Sequence, residues 1–507
     1  MKKWLAMALA LALLVGGTGA LAEYEEHISI TATYVDRGST EQDDMYHYFC
    51  DPFNMDIEMI PIAWSALNDT NNVMIMGGTM YDWMMITMDN YNTYLEYVDQ
   101  GLLKPLPEGF EEKYPNIARA FAASGISDYL YVDGQAYGTP MPIYFNFSPR
   151  EYALNMMVVF YRADWAQELG FEWDVSVTLS EFEAYLKACV ENDMAGNGQT
   201  LGLCAADPTA IYMANFCQGW SDFTQNGEEY VWGPELEGVT DGIRRVKEAY
   251  NNGLIDPDFY ALDSFGAQNK FAAGLSAACY NTGTTANYQI VLDAALSSGI
   301  ENPEQVIKPI MITDDAGVWH GDEVKNFWCV NVFRPDMDDA TFERILALLD
   351  FLYTKEAQEV INMGMPGVDW ELDEEGYYVS LLSEEYSNVR QKYPSGWFWR
   401  DTAVCLDEFD LVNPTYSKEV LDSINAMYDF RYAQAEEYGY RALDNHVTYL
   451  DSEAMSNYSV DILGEAVRII CDANIDMESV ESEWDSFIEE NRPIWEPVLE
   501  DLNAPQE

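Results

Sequence analysis

The stretch from Tyr129 to Phe171 constrains the fold more than any other part of the chain. Val132-Asp133-Gly134-Gln135 is a hairpin signal, because Gly takes a positive φ at no steric cost and Asp-Gly suits a tight turn between paired strands. Tyr137-Gly138-Thr139-Pro140 then leads into extended chain, and Met156 to Tyr161 is an unbroken apolar run that reads as a buried strand. Arg162-Ala163-Asp164-Trp165 opens a short helix that Gly170 stops. A hairpin, a buried strand and a helix in immediate succession form the expected crossover between two α/β lobes.

The pattern continues downstream. Thr178-x-x-Glu181 is a capping box, and Phe182, Tyr185, Leu186, Cys189 and Val190 share one helical face behind it. At these residues DGQAYGTP, VVFYRADWAQELGF, TLSEFEAYLKACVEND and NGQTLGL together resemble the extracellular solute-binding proteins of bacterial ABC importers, in the large branch related to maltose-binding protein. A second match, LLDFLYTKEAQEVINMGMPGVDWELDEEGYY, begins at Leu348 and resembles that family's "LLDYLYSDEGQ…GIEG-DY…DEDG" segment. Two ordered motifs far apart in sequence are more specific than either alone.

The resemblance implies an α/β fold of the two-lobed, type II periplasmic-binding-protein kind, with hinge strands between lobes and a helical C-terminal region. Lobe I is expected at 23–148 and 309–333, and lobe II at 149–308 and 334–507. Hinge strands are expected near Ile143–Tyr152, Ile307–Met311 and Phe333–Pro335. The same resemblance implies a monomer that captures a small solute and hands it to ABC permease subunits, with no cofactor.

The N-terminus reads without any family. Lys2 and Lys3 precede an apolar run from Trp4 to Val15, too short to span a bilayer, and Ala20-Leu21-Ala22 is a cleavage site. Residues 1–22 are therefore expected to be a signal peptide of a secreted or cell-surface protein. No Cys follows this run before Cys50, so the lipid anchor common in the family has no attachment residue. The chain carries 87 acidic against 26 basic residues, a formal charge of −61, which excludes nucleic acid and anionic membranes as partners. It also weighs against anionic ligands. Eight Cys without a C-x-x-C read mostly as buried thiols, with one or two disulfides open.

Along the chain, Ile28, Ile30, Ala32 and Tyr34 alternate as a first strand. A loop carrying Asp43 and Asp44 is expected up to Asp51, with a helix after it, then a second strand at Asp56–Ile60 and a third at Trp83–Met88. Ile307–Ile312 and Phe327–Phe333 read as strands, which the resemblance implies return to the first lobe. Asp193-Met-Ala-Gly-Asn197-Gly-Gln-Thr200 resembles a degenerate calcium-like loop, and reads more simply as a Gly-rich turn.

His27, His47, His320 and His446 lack metal-ligand spacing, and no nucleophile elbow or phosphate-cradling loop is present, so neither a metal site nor catalysis is expected. Sugars present apolar CH faces and hydroxyl edges, so their sites stack aromatic rings on the faces and aim Asp, Asn or Arg at the edges. Trp64, Asp89 and Asn90 follow strand ends, where open α/β sheets bind ligands. Trp220, Trp397 and Trp399 lie beside turn or polar residues outside clear helical periodicity, and Tyr144 lies in the first hinge segment. Each Trp alone reads equally well as an ordinary half-buried residue; as a set drawn from both lobes they are the candidate cleft lining. The expected ligand is a mono- or oligosaccharide. Peptides or polyols are the alternative cargo, and a secreted polysaccharide-degrading enzyme is the alternative class.

Overall fold

Two five-stranded sheets organise the computed structural model, which describes residues 24–505 apart from 39–40, 146–152, 384, 387, 405–408 and 410. The expected signal peptide, most of the expected first hinge segment and Cys405 lie outside the described residues. In the first sheet, β1 (Ile28–Val35), β2 (Met55–Ile62) and β3 (Trp83–Ile86) are parallel, in the order β2-β1-β3. The chain folds this way because each strand feeds a helix that covers a face. The stretch expected as a loop before Asp51 is one of these covers. Asp43 accepts hydrogen bonds from the N–H groups of Met45 and Tyr46 and caps a helix, Asp44–Cys50, that buries Met45, Tyr46, Phe49 and Cys50. Two turns of mixed aromatic residues carry too little periodicity to reveal it.

The hairpin signal is realised. Tyr131–Val132 pairs with Gln135–Ala136 across Asp133 (φ 51°) and Gly134 (φ 78°), two successive positive φ values as a type I′ turn requires. Gly138 comes next with φ 86°, and a Cβ there would stand 2.6 Å from the carbonyl oxygen of Asn331. Only Gly lets β4 (Thr139–Pro142) close on its neighbour.

The second sheet holds β5 (Met157–Arg162), β6 (Ser176–Thr178), β7 (Leu201–Cys204), β8 (Ser276–Thr282) and β9 (Ile307–Thr313), in the order β6-β9-β5-β8-β7. Its strands alternate between two cores: Val159, Tyr161 and Ile310 face one, and Val158, Phe160 and Met311 the other. Here two expectations are corrected. β9 pairs antiparallel with β5 and parallel with β6, so Ile307–Thr313 stays in the second sheet. Of the two strands expected to return, only β10 (Phe327–Phe333) does so, inserted antiparallel between β3 and β4. The register of an apolar strand names no partner, which is why sequence could not separate the two. The helices Asp339–Leu352 and Lys355–Met363, expected with the second lobe, bury Phe342, Ile345, Leu349 and Ile361 in the core of the first.

The lobes exchange chain at three places. Residues 143–145 and 153–155 lie beside 322–326, joined by Val324 N–H to Ala153 O (2.9 Å), Asn155 N–H to Asp322 O (2.8 Å) and Ile143 N–H to Asn326 O (3.3 Å). The third passage lies between Val404, packed on the first sheet, and Tyr416, packed on the second.

The described cysteines, at 50, 189, 204, 217, 279, 329 and 471, are free thiols. Burial pushes Cys50, Cys189 and Cys204 up to about 12, leaving on the order of one thiol in ten thousand ionised at pH 8. These three are expected to resist a thiol reagent in the native protein at pH 8 and to react at once in denaturant; peptide mapping of the labelled protein checks this. At the centre of the first sheet, Asn331 has no exposed surface, accepts the Trp83 indole N–H (2.8 Å) and donates to Thr402 O (3.1 Å). Asn331→Ala is expected to cost about 2–3 kcal/mol in denaturant unfolding, because it strands a buried indole N–H.

Candidate functional site

Strand direction decides which residues of the first sheet meet the cleft. The carboxyl ends of β1, β2 and β3 share one edge with the amino end of β10, so Arg37, Trp64, Asp89 and Lys325 lie along it. Lys325 Nζ and Asp89 Oδ1 are 3.0 Å apart, an ion pair that ties the β3 exit to the β10 approach. Asn90 Oδ1 accepts the N–H of Thr93 and caps the helix Tyr91–Asp99.

The facing edge of the second sheet carries the exits of β7, β8 and β9 and the start of β5. A cavity of about 250 Å³ opens there. Met157–Val159, Tyr280 and Ile310–Ile312 form its floor, and Ala210, Ile211 and Ala214 one wall. Trp220 and Trp319 supply aromatic faces, while Asn155, Asp207, Asn215, Gln218 and His320 supply polar groups. An outer cavity of about 830 Å³ adjoins it, lined from the first lobe by Asp89 and Asn90 and from the second by Asp222–Gln225. Lys325 and the segment Arg441–Asn445 complete this outer wall. Ser221, Asp222 and Arg441 belong to both.

The junction is fixed by charge. Arg441 Nε lies 2.9 Å from Asp322 Oδ1 and its Nη2 3.3 Å from Asp222 Oδ2. Gln218 donates to Gly321 O (3.0 Å), which holds the loop carrying Trp220 against the same segment. His320 Nε2 lies 3.0 Å from Asp314 Oδ2. Burial alone would raise Asp314, yet hydrogen bonds from Val318, His320 and Ala316 outweigh it and hold the carboxyl below its ordinary value. Asp207 goes the other way. It accepts the N–H (2.9 Å) and the hydroxyl of Thr209, yet burial dominates and raises its pKa.

The sequence-derived candidates separate clearly. Asp89 and Asn90 line the outer cavity and Trp220 the inner one. Trp64 stands 44% exposed on the same edge, stacked on Trp328 at 5.3 Å, but lines neither cavity. Trp399 is a core residue with no exposed surface, packed on Phe49 at 4.8 Å, and cannot reach a ligand. Trp397 is ringed by the guanidinium groups of Arg37, Arg390 and Arg400 at 5.1, 5.0 and 5.5 Å, which occupy the surface a sugar would stack on. Tyr144 is buried in the interlobe crossing, its hydroxyl 3.4 Å from that of Tyr432. Tyr144, Trp397 and Trp399 thus line neither cavity. Asp207, Gln218, Asp222, Trp319, His320 and Arg441 line the cavities and were not among the sequence-derived candidates. Applying the strand-exit rule to β7 would have found Asp207; nothing local marks Arg441.

The degenerate calcium-like loop closes on itself. Thr200 Oγ1 and Gly198 N–H donate to Asp193 at 2.7 and 2.8 Å, holding its carboxyl below the ordinary value. Among the described residues no group of three or more His, Cys, Asp or Glu is arranged to hold a metal.

Comparison with known proteins agrees with this architecture. The profile of the family described as bacterial extracellular solute-binding proteins matches residues 49–361. Lipoprotein LipO of Bacillus subtilis (strain 168) is 24% identical over 343 residues, 64% of this chain and 63% of its own length; the chain thus spans less than two thirds of that relative. The fold matches the alginate-binding protein AlgQ2 without calcium ion, at 15% identity and TM-score 0.67, over 95% of this chain and 98% of that one. It also matches the S. pneumoniae ABC-transporter substrate-binding protein FusA in complex with kestose, at 13% identity and TM-score 0.64, over 94% and 98%. At these identities the structural likeness establishes a two-lobed fold and no more.

Asp207 yields a pH test. Its folded pKa is raised, so the fold favours the protonated form, and wild-type stability falls as pH rises from the ordinary value of 3.8 through the raised one. Asp207→Asn removes this penalty while its amide oxygen still accepts from Thr209. The variant is expected to melt above wild type at pH 7, with the gap closing below pH 3.8; calorimetric melts across that range check it.

Proposed function

From a chain that belongs to the bacterial extracellular solute-binding protein family, we propose a receptor that captures an oligosaccharide between its lobes and delivers it to an ABC permease outside the cytoplasmic membrane. The observation that carries this reading is the paired cavity at the facing sheet edges. There the aromatic faces of Trp220, Trp319 and Tyr280 stand among carboxylates, amides and one guanidinium. That mixture matches the alternating CH faces and hydroxyl edges of a sugar. Proteins of the same fold support the choice of cargo: one is described as alginate-binding, one is in complex with kestose, and one, an N-glycan transport protein from Streptococcus pneumoniae, is in complex with Man5GlcNAc.

Binding without bond cleavage is part of the proposal. The acids of the junction, Asp222 and Asp322, are both committed to Arg441. Such pairing serves to hold a shape and leaves little freedom for proton transfer. The lobes close by bending where 153–155 pairs with 322–324.

A ligand that binds only the folded state raises its stability by about 2.7 kcal/mol at a hundredfold excess over Kd. A thermal-shift screen of mono- and oligosaccharides, polyols and short peptides is expected to respond to an oligosaccharide class. X-ray scattering is expected to show compaction on binding, and the ligand should be recovered intact. Silence toward sugars with a response to peptides sinks the carbohydrate reading. Trp220→Ala is expected to weaken affinity at least tenfold, about 1.4 kcal/mol. Trp399→Ala is expected to act on stability instead, costing about 3–5 kcal/mol in denaturant unfolding.

A further inference from the structure

The two cavities differ in size and in what closes them. The outer one, about 830 Å³, spans both lobes. The inner one, about 250 Å³, lies below the range of roughly 300–1,000 Å³ that encloses a drug-sized ligand, and is suited to one sugar ring. Its floor is β5, β8 and β9 themselves, where Val159 and Ile310 are buried, so a polymer has no way through in that direction. The shared residues Ser221, Asp222 and Arg441 mark where the two spaces meet. Arg441 does not swing freely there, being pinned by two carboxylates and approached closely by Gly219, where a Cβ would lie 2.7 Å from Arg441 Nη1.

Resting on the oligosaccharide reading above, we infer that the chain binds its ligand end-first. One terminal sugar fills the inner cavity of the second lobe, and the following units pass Arg441 into the outer cavity toward Asp89 and Asn90. The electrostatics specify the kind of unit that enters. Asp207, Asp222 and Asp322 line the inner cavity, Arg441 is shared between the latter two, and His320 faces Asp314. These acceptors are matched by a unit rich in hydroxyl donors and without negative charge; a terminal uronate would meet like charge away from bulk water. The receptor therefore recognises chain ends and rejects chain interiors.

The test uses the mature protein and calorimetric titration with linear neutral glucans, mannans and fructans of one to six units. The best binder is then compared with two derivatives, a naphthyl glycoside at its reducing end and a naphthylmethyl ether on its last non-reducing unit. Affinity is expected to rise with length beyond one unit and to fall at least tenfold for one derivative only. Replacing the sensitive terminal unit by its uronate should also weaken binding. Ala214→Trp, which fills the inner cavity from its wall, should abolish binding while preserving the circular dichroism and melting profile. If that variant does not fold, the two derivatives decide alone. Equal tolerance of both naphthyl groups, or a monosaccharide binding as tightly as the longer chains, overturns the inference and leaves the receptor reading intact. If no oligosaccharide binds, the carbohydrate reading falls and this inference with it.

Discussion

Asn331 joins three segments that are distant in sequence: Trp83 on β3, Thr139 on β4 and Thr402 at the end of the helix Gly396–Thr402. A buried amide can be retained only if its donors and acceptor are matched, because each unmatched group costs more than a typical hydrogen bond contributes. β10 must therefore enter between β3 and β4 in one register and one direction. Once it does, the amino end of β10 falls on the edge where β1, β2 and β3 exit, and Lys325 is brought to Asp89. The first-lobe side of the cleft follows from that insertion.

The C-terminal helical region works across the lobes, not within one. Residues 418–438 pack on the second sheet, and the chain then passes Arg441 and inserts Tyr449 into the first core. Tyr449 stacks on Tyr129 at 3.9 Å and meets Tyr91 edge-on at 5.5 Å. The chain returns to the second lobe, where Trp484 and Trp495 are buried. Segment 441–449 is thus both a wall of the outer cavity and a tie between the lobes, so cleft closure and the packing of Tyr449 share the same residues.

Charge acts at two scales. The excess of acid over base keeps the surface solvated. It does not describe the local sites, where scarce cations are placed at particular points. Arg441 holds the cavity junction, Lys325 the first-lobe edge, and Arg37, Arg390 and Arg400 gather on Trp397 beside the buried Asp401. The whole-chain count therefore says little about any one subsite.

Sequence by itself determined whatever depends on local backbone and side-chain period. The Asp133-Gly134 turn, the capping box at Thr178 and the helix stop at Gly170 are set by neighbours within a few residues, and all stand where they were expected. The same reasoning placed Asp89 and Asn90 at a strand exit, because exit position follows from strand order along the chain. Only the tertiary structure decided which lobe β9 and the helix Asp339–Leu352 join, since an apolar strand or helix face fits any partner of matching shape. It also decided the fate of the tryptophans. A ring beside polar residues in sequence can face a cleft, as Trp220 does, be wrapped by guanidinium groups, as Trp397 is, or vanish into the core, as Trp399 does. Adjacent residues on one short helix point in different directions, and what lies in each direction comes from segments hundreds of residues away.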